Sequence, residues 1–172
     1  PARYIRQWSG RNTENQGSHL SEMTIRGYDP RIMPDESGIV NVPEQYRSYS
    51  SIWSNDPPGT GHGQSMLDSP MAWVAGLQTF VPGTQWVQMD LGRTRYVSGI
   101  VTQGRESYDQ WTTSYKVQFS LDGVSFQEHS VQVAANQDQA TKVFYSLPTE
   151  VLARYVRILP YTWNDYAALR AA

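Results

Sequence analysis

Apolar and polar residues alternate strictly along Tyr115-Lys116-Val117-Gln118-Phe119-Ser120-Leu121, the period of a strand with one buried face. Asp122-Gly123 follows as a hairpin signal, because glycine tolerates positive φ, and the return strand carries Phe126. Residues 86–91 and 96–102 predict two further strands, joined across Gly92-Arg93-Thr94. Residues 142–147, 153–159 and 168–172 complete the set. Short strands at regular spacing, punctuated by turn residues, predict an all-β sandwich with little helix. The best helical stretch is 64–76 (QSMLDSPMAWVAG), which Pro70 interrupts. Residues 1–26 are polar and poorly periodic, so they are expected to be an N-terminal arm, with the folded domain over 27–172.

Composition narrows the function. A chain of 172 residues with 39% hydrophobic residues is one ordinary domain. Six Trp and eleven Tyr against four Phe favour side chains with an apolar body and a polar tip, which suit sandwich cores and binding surfaces. A net charge of −2 gives no basic footprint, so nucleic acid is not an expected partner. The absence of cysteine excludes thiol catalysis, zinc–thiolate sites and disulfides. No apolar run approaches the ~20 residues of a membrane-spanning helix. Gly59-Thr60-Gly61-His62-Gly63 lacks the preceding strand and following Lys of a phosphate loop. His19, His62 and His129 have no metal-ligand spacing, and no G-x-S-x-G elbow occurs. Catalysis is therefore not expected.

An ordered set of local patterns carries a resemblance. Val42-Pro43-Glu44-Gln45 with Ser50-Ser51-Ile52-Trp53 opens it, and Trp86-Val87-Gln88-Met89-Asp90-Leu91-Gly92 follows. Next come Thr102-Gln103-Gly104-Arg105, Gln110-Trp111-Thr112-Thr113-Ser114-Tyr115-Lys116-Val117 and Ser120-Leu121-Asp122-Gly123. Asn136-Gln137-Asp138, then Ala153-Arg154-Tyr155-Val156-Arg157-Ile158 with Pro160, Trp163 and Leu169-Arg170, close it. Over roughly 37–172 the chain resembles the discoidin domain family, also called coagulation factor V/VIII type C. The resemblance implies an eight-stranded antiparallel jelly-roll β-sandwich (galactose-binding-like). It also implies an extracellular, non-catalytic module, secreted or at the cell surface, whose loops at one end bind galactose-type glycans, anionic phospholipid heads or extracellular proteins. It is compatible with an oligomer or a larger multidomain chain. No cofactor is required. Sugar-binding relatives hold a structural calcium with an Asp-rich loop and a Glu after "L-R-x". Here Asp68 and Trp73 of that loop are retained, and Ala172 stands where the Glu falls. Asp68 is the one candidate metal ligand.

The resemblance places two loops at the binding end. In 52–63, two prolines and three glycines shape a turn carrying Trp53, Asn55, Asp56 and His62. In 103–111 stand Arg105, Tyr108, Asp109 and Trp111. A pyranose needs an aromatic face for its C–H surface and fixed polar groups for its hydroxyls. Arg105 offers a fork of donors, or else a structural ion pair with Asp109 or Glu106. Trp53 and Trp111 are stacking platforms, or else core anchors. Residues 50–63 hold no Lys or Arg, and 103–111 hold one Arg against two acids, which favours sugar or protein over an anionic bilayer. Asp90, inside an apolar strand, is expected to accept bonds from backbone or Arg, and Asn136 and Asp138 to cap backbone groups.

Overall fold

The computed structural model describes Ile32, Pro34, Asp35 and residues 37–172; the arm expected over 1–26 lies outside the described residues. Seven strands form among them: β1 Arg47–Tyr49, β2 Trp73–Val74, β3 Val87–Gln103, β4 Trp111–Ser120, β5 Gln127–Ala134, β6 Val143–Asn164 and β7 Ala168–Ala171. Every pairing is antiparallel. The strand order is β2-β7-β3-β6-β4-β5, with β1 also on β3. The fold is an antiparallel β-sandwich, as expected, but the strand count differs from eight. The segments expected at 86–91 and 96–102 merge into β3, and those at 142–147 and 153–159 merge into β6.

The merging has a local cause. The β3–β6 ladder slips between Asp90 and Arg95 and again between Val97 and Gly99, yet both backbones continue. Gly92 takes φ +71 at the first slip, a left-handed conformation that glycine tolerates. Asp90 Oδ1 accepts the Gly92 N–H at 2.8 Å. The same carboxylate receives Arg154 Nε and Nη2 at 2.9 Å each, a bidentate pair of the kind expected for Asp90. So Gly92-Arg93-Thr94 bends a strand rather than ending one. The first part of β3 pairs with β1, and its last residues pair with β7.

The alternation expected in β4 holds: Tyr115, Val117 and Phe119 are buried, while Lys116 and Gln118 between them are partly exposed. Val87, Met89, Val156 and Ile158 join them, and Trp73, Ile100, Leu169 and Ala171 complete one continuous core cluster. Trp73 is fully buried. Its ring stacks on Tyr49 at 6.3 Å, and its Nε1 donates to Ser51 O at 2.7 Å.

No helix forms over 64–76. Four consecutive N–H groups there are taken by side chains instead of helical carbonyls. Ser65 and Met66 donate to Glu44 Oε1, Leu67 to Asn41 Oδ1, and Asp68 to Gln103 Oε1. The segment is pinned as an irregular strap leading into β2. Arg47 ties the same region from inside: its guanidinium donates to Val42 O, Ser65 O and Ala171 O at 2.6, 2.8 and 2.9 Å. Burial pulls its pKa down to about 10.

Candidate functional site

Loop 52–63 is built from two short 3₁₀ turns, Trp53–Asn55 and Gly61–Gly63. Ser54 and Asn55 both adopt left-handed backbone, at φ 58 and 55. Asp56 closes the loop on itself: its Oδ2 accepts His62 N at 2.9 Å and contacts His62 Nδ1 at 2.7 Å. The His62 backbone N–H, followed by its ring, lowers the Asp56 pKa. Gly61 suits this position, because a Cβ at its φ of +47 would meet the Asp56 carboxylate and push it off His62.

The second loop meets the first through His62. With Nδ1 turned to Asp56, Nε2 is free to accept, and Arg105 Nη2 lies 3.3 Å from it. Arg105 Nη1 donates to Gln110 Oε1 at 2.6 Å, and Gln110 Nε2 donates to Asp165 Oδ2 at 2.8 Å. The Arg105 guanidinium also lies 3.7 Å from the centroid of the Tyr108 ring. A chain of contacts thus runs Asp56–His62–Arg105–Gln110–Asp165 across three loops. Arg105 is only 6% exposed, and burial lowers its pKa. Its ion-pair alternative is not formed: Glu106 faces Arg170, and Asp109 accepts from Gln139.

Of the eight candidate residues, the structure therefore joins Asp56, His62, Arg105 and Tyr108. Tyr108 is 48% exposed over the buried arginine, and Asn55 is exposed. Trp53 is half-buried: it meets Tyr166 edge-on at 5.2 Å and packs on Ala72, Val74 and Ala168. Trp111 and Asp109 turn to another side, where they line a shallow pocket of about 200 Å³ with Asp138, Gln139, Ala140 and Thr141. Gln110, Asp165 and Tyr166 were not visible as site residues in the sequence. Asp165 lies 55 positions from Gln110, and only the β4–β6 pairing of Trp111 with Asn164 brings them together.

An apolar groove of about 240 Å³ lies elsewhere, lined by Val40, Leu91, Val97, Ile100 and Phe144. Ser37, Ser98 and Arg95 also line it, but the Arg95 guanidinium already donates to Leu91 O and Ile32 O, so the loop end is the better candidate. Asp68, the candidate calcium ligand, sits at φ 63 with Lys142 Nζ 2.6 Å from its Oδ2. The hydrogen bond from Lys142 lowers its pKa. Among the described residues, no group of three or more His, Asp or Glu side chains is placed to hold a metal ion.

Retinoschisin from Takifugu rubripes is 32% identical over 146 residues, 81% of this chain and 49% of that protein. The chain spans about half to three-fifths of the length of the retinoschisins it matches. Discoidin II from Dictyostelium discoideum has a similar structure: TM-score 0.56, 25% identity, 73% of this chain and 52% of that one. So does the family 32 CBM from C. perfringens NanJ, solved with galactose: TM-score 0.58, 16% identity, 76% of this chain and 94% of that one. The F5/8 type C domain model matches residues 48–172, and the chain belongs to that family, the discoidin domains.

Proposed function

We propose that this domain is a non-catalytic, extracellular recognition module whose loop end binds a neutral, galactose-like glycan. The observation that carries the reading is the contact chain from Asp56 to Asp165, which fixes two loops while leaving Tyr108 and Asn55 open to solvent. Prefixed loops are what a weak polar ligand needs, because the ordering cost is met before binding. Tyr108 offers an aromatic face, and Asn55 offers an exposed hydrogen-bonding group. Arg105 acts as a positioning residue, since both of its terminal nitrogens are already engaged.

Charge weighs against an anionic bilayer. Arg105 and Arg170 are buried, while Glu106, Asp109 and Asp165 are exposed. A bilayer site gains from basic clusters near its surface, and these loops present acids instead. A protein ligand is the remaining alternative, and a folded domain that binds neither galactoside nor vesicle points to it.

The test is calorimetry with galactosides beside sedimentation with phosphatidylserine vesicles. Tyr108→Ala and Arg105→Ala should each weaken galactoside binding about five- to a hundred-fold, the range of one lost interaction. Arg105→Lys should recover part of that loss if the charge alone orders the loop. Vesicle binding without galactoside binding overturns the sugar reading. Unchanged galactoside affinity in both folded alanine variants means that the ligand sits elsewhere.

A further inference from the structure

Three loops converge beside the last strand, where the resemblance would set a structural calcium. They are the strap around Asp68 and Ser69, the segment Gln103–Glu106, and the segment 138–142. A calcium site needs six to eight oxygens that are free to turn toward the ion. Here the oxygens are engaged by the protein's own cations. Arg170, 1% exposed, donates from Nε to Gly104 O at 2.7 Å, from Nη1 to Ser69 O at 2.8 Å, and from Nη2 to Gln139 O at 3.0 Å. Its Nη2 also lies 3.5 Å from Glu106 Oε2. Each of the three loops thus gives a backbone carbonyl to one guanidinium. Lys142 Nζ holds Asp68 Oδ2 at 2.6 Å. Gln103 links the loops further, accepting from Asp68 N at 3.0 Å and donating to Asp68 Oδ1 at 3.3 Å and to Ala140 O at 2.8 Å. Ala172, in the position of the family's Glu, has no side-chain carboxylate to add. The donor set does not fit calcium.

We infer that this loop junction is built without a metal ion: a buried Arg170 guanidinium and a surface Lys142 ammonium occupy the oxygens of the three loops, and the domain's stability does not depend on calcium. The geometry gives each cation a different share. Arg170 is buried, so its hydrogen bonds to carbonyls are shielded from water and its planar fork fits several acceptors at once. Lys142 and Asp68 are largely exposed, with side chains 45% and 62% accessible, so their pair is the minor contributor. Arg170 is therefore the part that a single substitution would expose.

Thermal melting in millimolar calcium chloride and in excess EGTA, with calcium titration calorimetry, tests the inference on the whole chain. A calcium site filled at a thousand times its Kd would raise the Tm of a domain this size by about 10 °C. The wild type should shift by less than about 1 °C and show no calcium-binding heat. Arg170→Lys keeps the charge but cannot span three carbonyls, so its Tm should fall by more than about 5 °C in either buffer. Lys142→Met should fall by less than about 2 °C, in the range of an exposed ion pair. A calcium-dependent rise of several degrees in the wild type overturns the inference. So does an Arg170→Lys variant that melts like the wild type. If Arg170→Lys does not fold, the wild-type calcium and EGTA melts decide alone.

Discussion

Single side chains in this domain act mostly by capping backbone. Asp122 accepts Val124 N and Ser125 N at 2.8 Å each and the Ser120 hydroxyl at 2.9 Å. The backbone bond from Val124 is the largest cause that pulls its pKa down to about 2. The sign follows from linkage: a depressed carboxyl stabilises the fold fully above its unfolded pKa and loses that contribution as pH falls through the folded one. Asp122→Ala should therefore melt below the wild type at neutral pH, with a gap that is constant down to about pH 5 and closes toward pH 2. A parallel pair of Tm–pH curves would refute this. The turn residues that cap in this way were legible from sequence, because Asp-Gly after an alternating strand has a local cause. The partner of Arg105 was not. His62 Nε2 and Gln110 Oε1 reach it from 43 positions before and 5 after, and neither separation has a periodic signal.

At the scale of elements, the strand pattern was readable wherever one face is buried, as in β4. It misled where a strand bends without ending, since Gly92 looks like a hairpin turn yet is a kink inside β3. The strap 64–72 misled in the opposite sense. Its propensities allow a helix, but Glu44, Asn41 and Gln103 arrive from elsewhere to take its N–H groups. The junction of loops behind the candidate site is tight at Gly104. A Cβ there would lie 2.5 Å from Asp138 O and 2.9 Å from Gln139 Cα, both backbone and unable to swing aside. Gly104→Ala should cost about 1–3 kcal/mol by chemical denaturation, as overpacking does. It should also shift Arg170, whose Nε bonds Gly104 O at 2.7 Å. Gly83→Ala, with open space around its Cβ but φ +78, is the comparison that isolates backbone strain from crowding.

Across the whole molecule, stability rests on a main core cluster and a small second one, with no disulfide to support them. The main cluster is the one that a single substitution tests best. Trp73 is its largest fully buried side chain. Trp73→Ala should cost about 3–5 kcal/mol, a Tm loss of roughly 10 °C in a domain this size. Trp73→Phe should cost less, since a ring remains against Tyr49 while Ser51 O loses its donor. If Phe costs as much as Ala, the indole hydrogen bond outweighs the packing. By itself the sequence determined the β-sandwich, the faces of its strands, the family and the two loops that carry candidate residues. Each of these is set by local spacing or by an ordered run of motifs. Tertiary structure alone decided which candidates meet. It buried Arg105, sent Trp111 and Asp109 to another side, and set Arg170 and Lys142 among the oxygens of three loops. Those outcomes depend on which carbonyls and rings lie within about 3 Å across long sequence separations, and that is a property of chain crossings, not of local pattern.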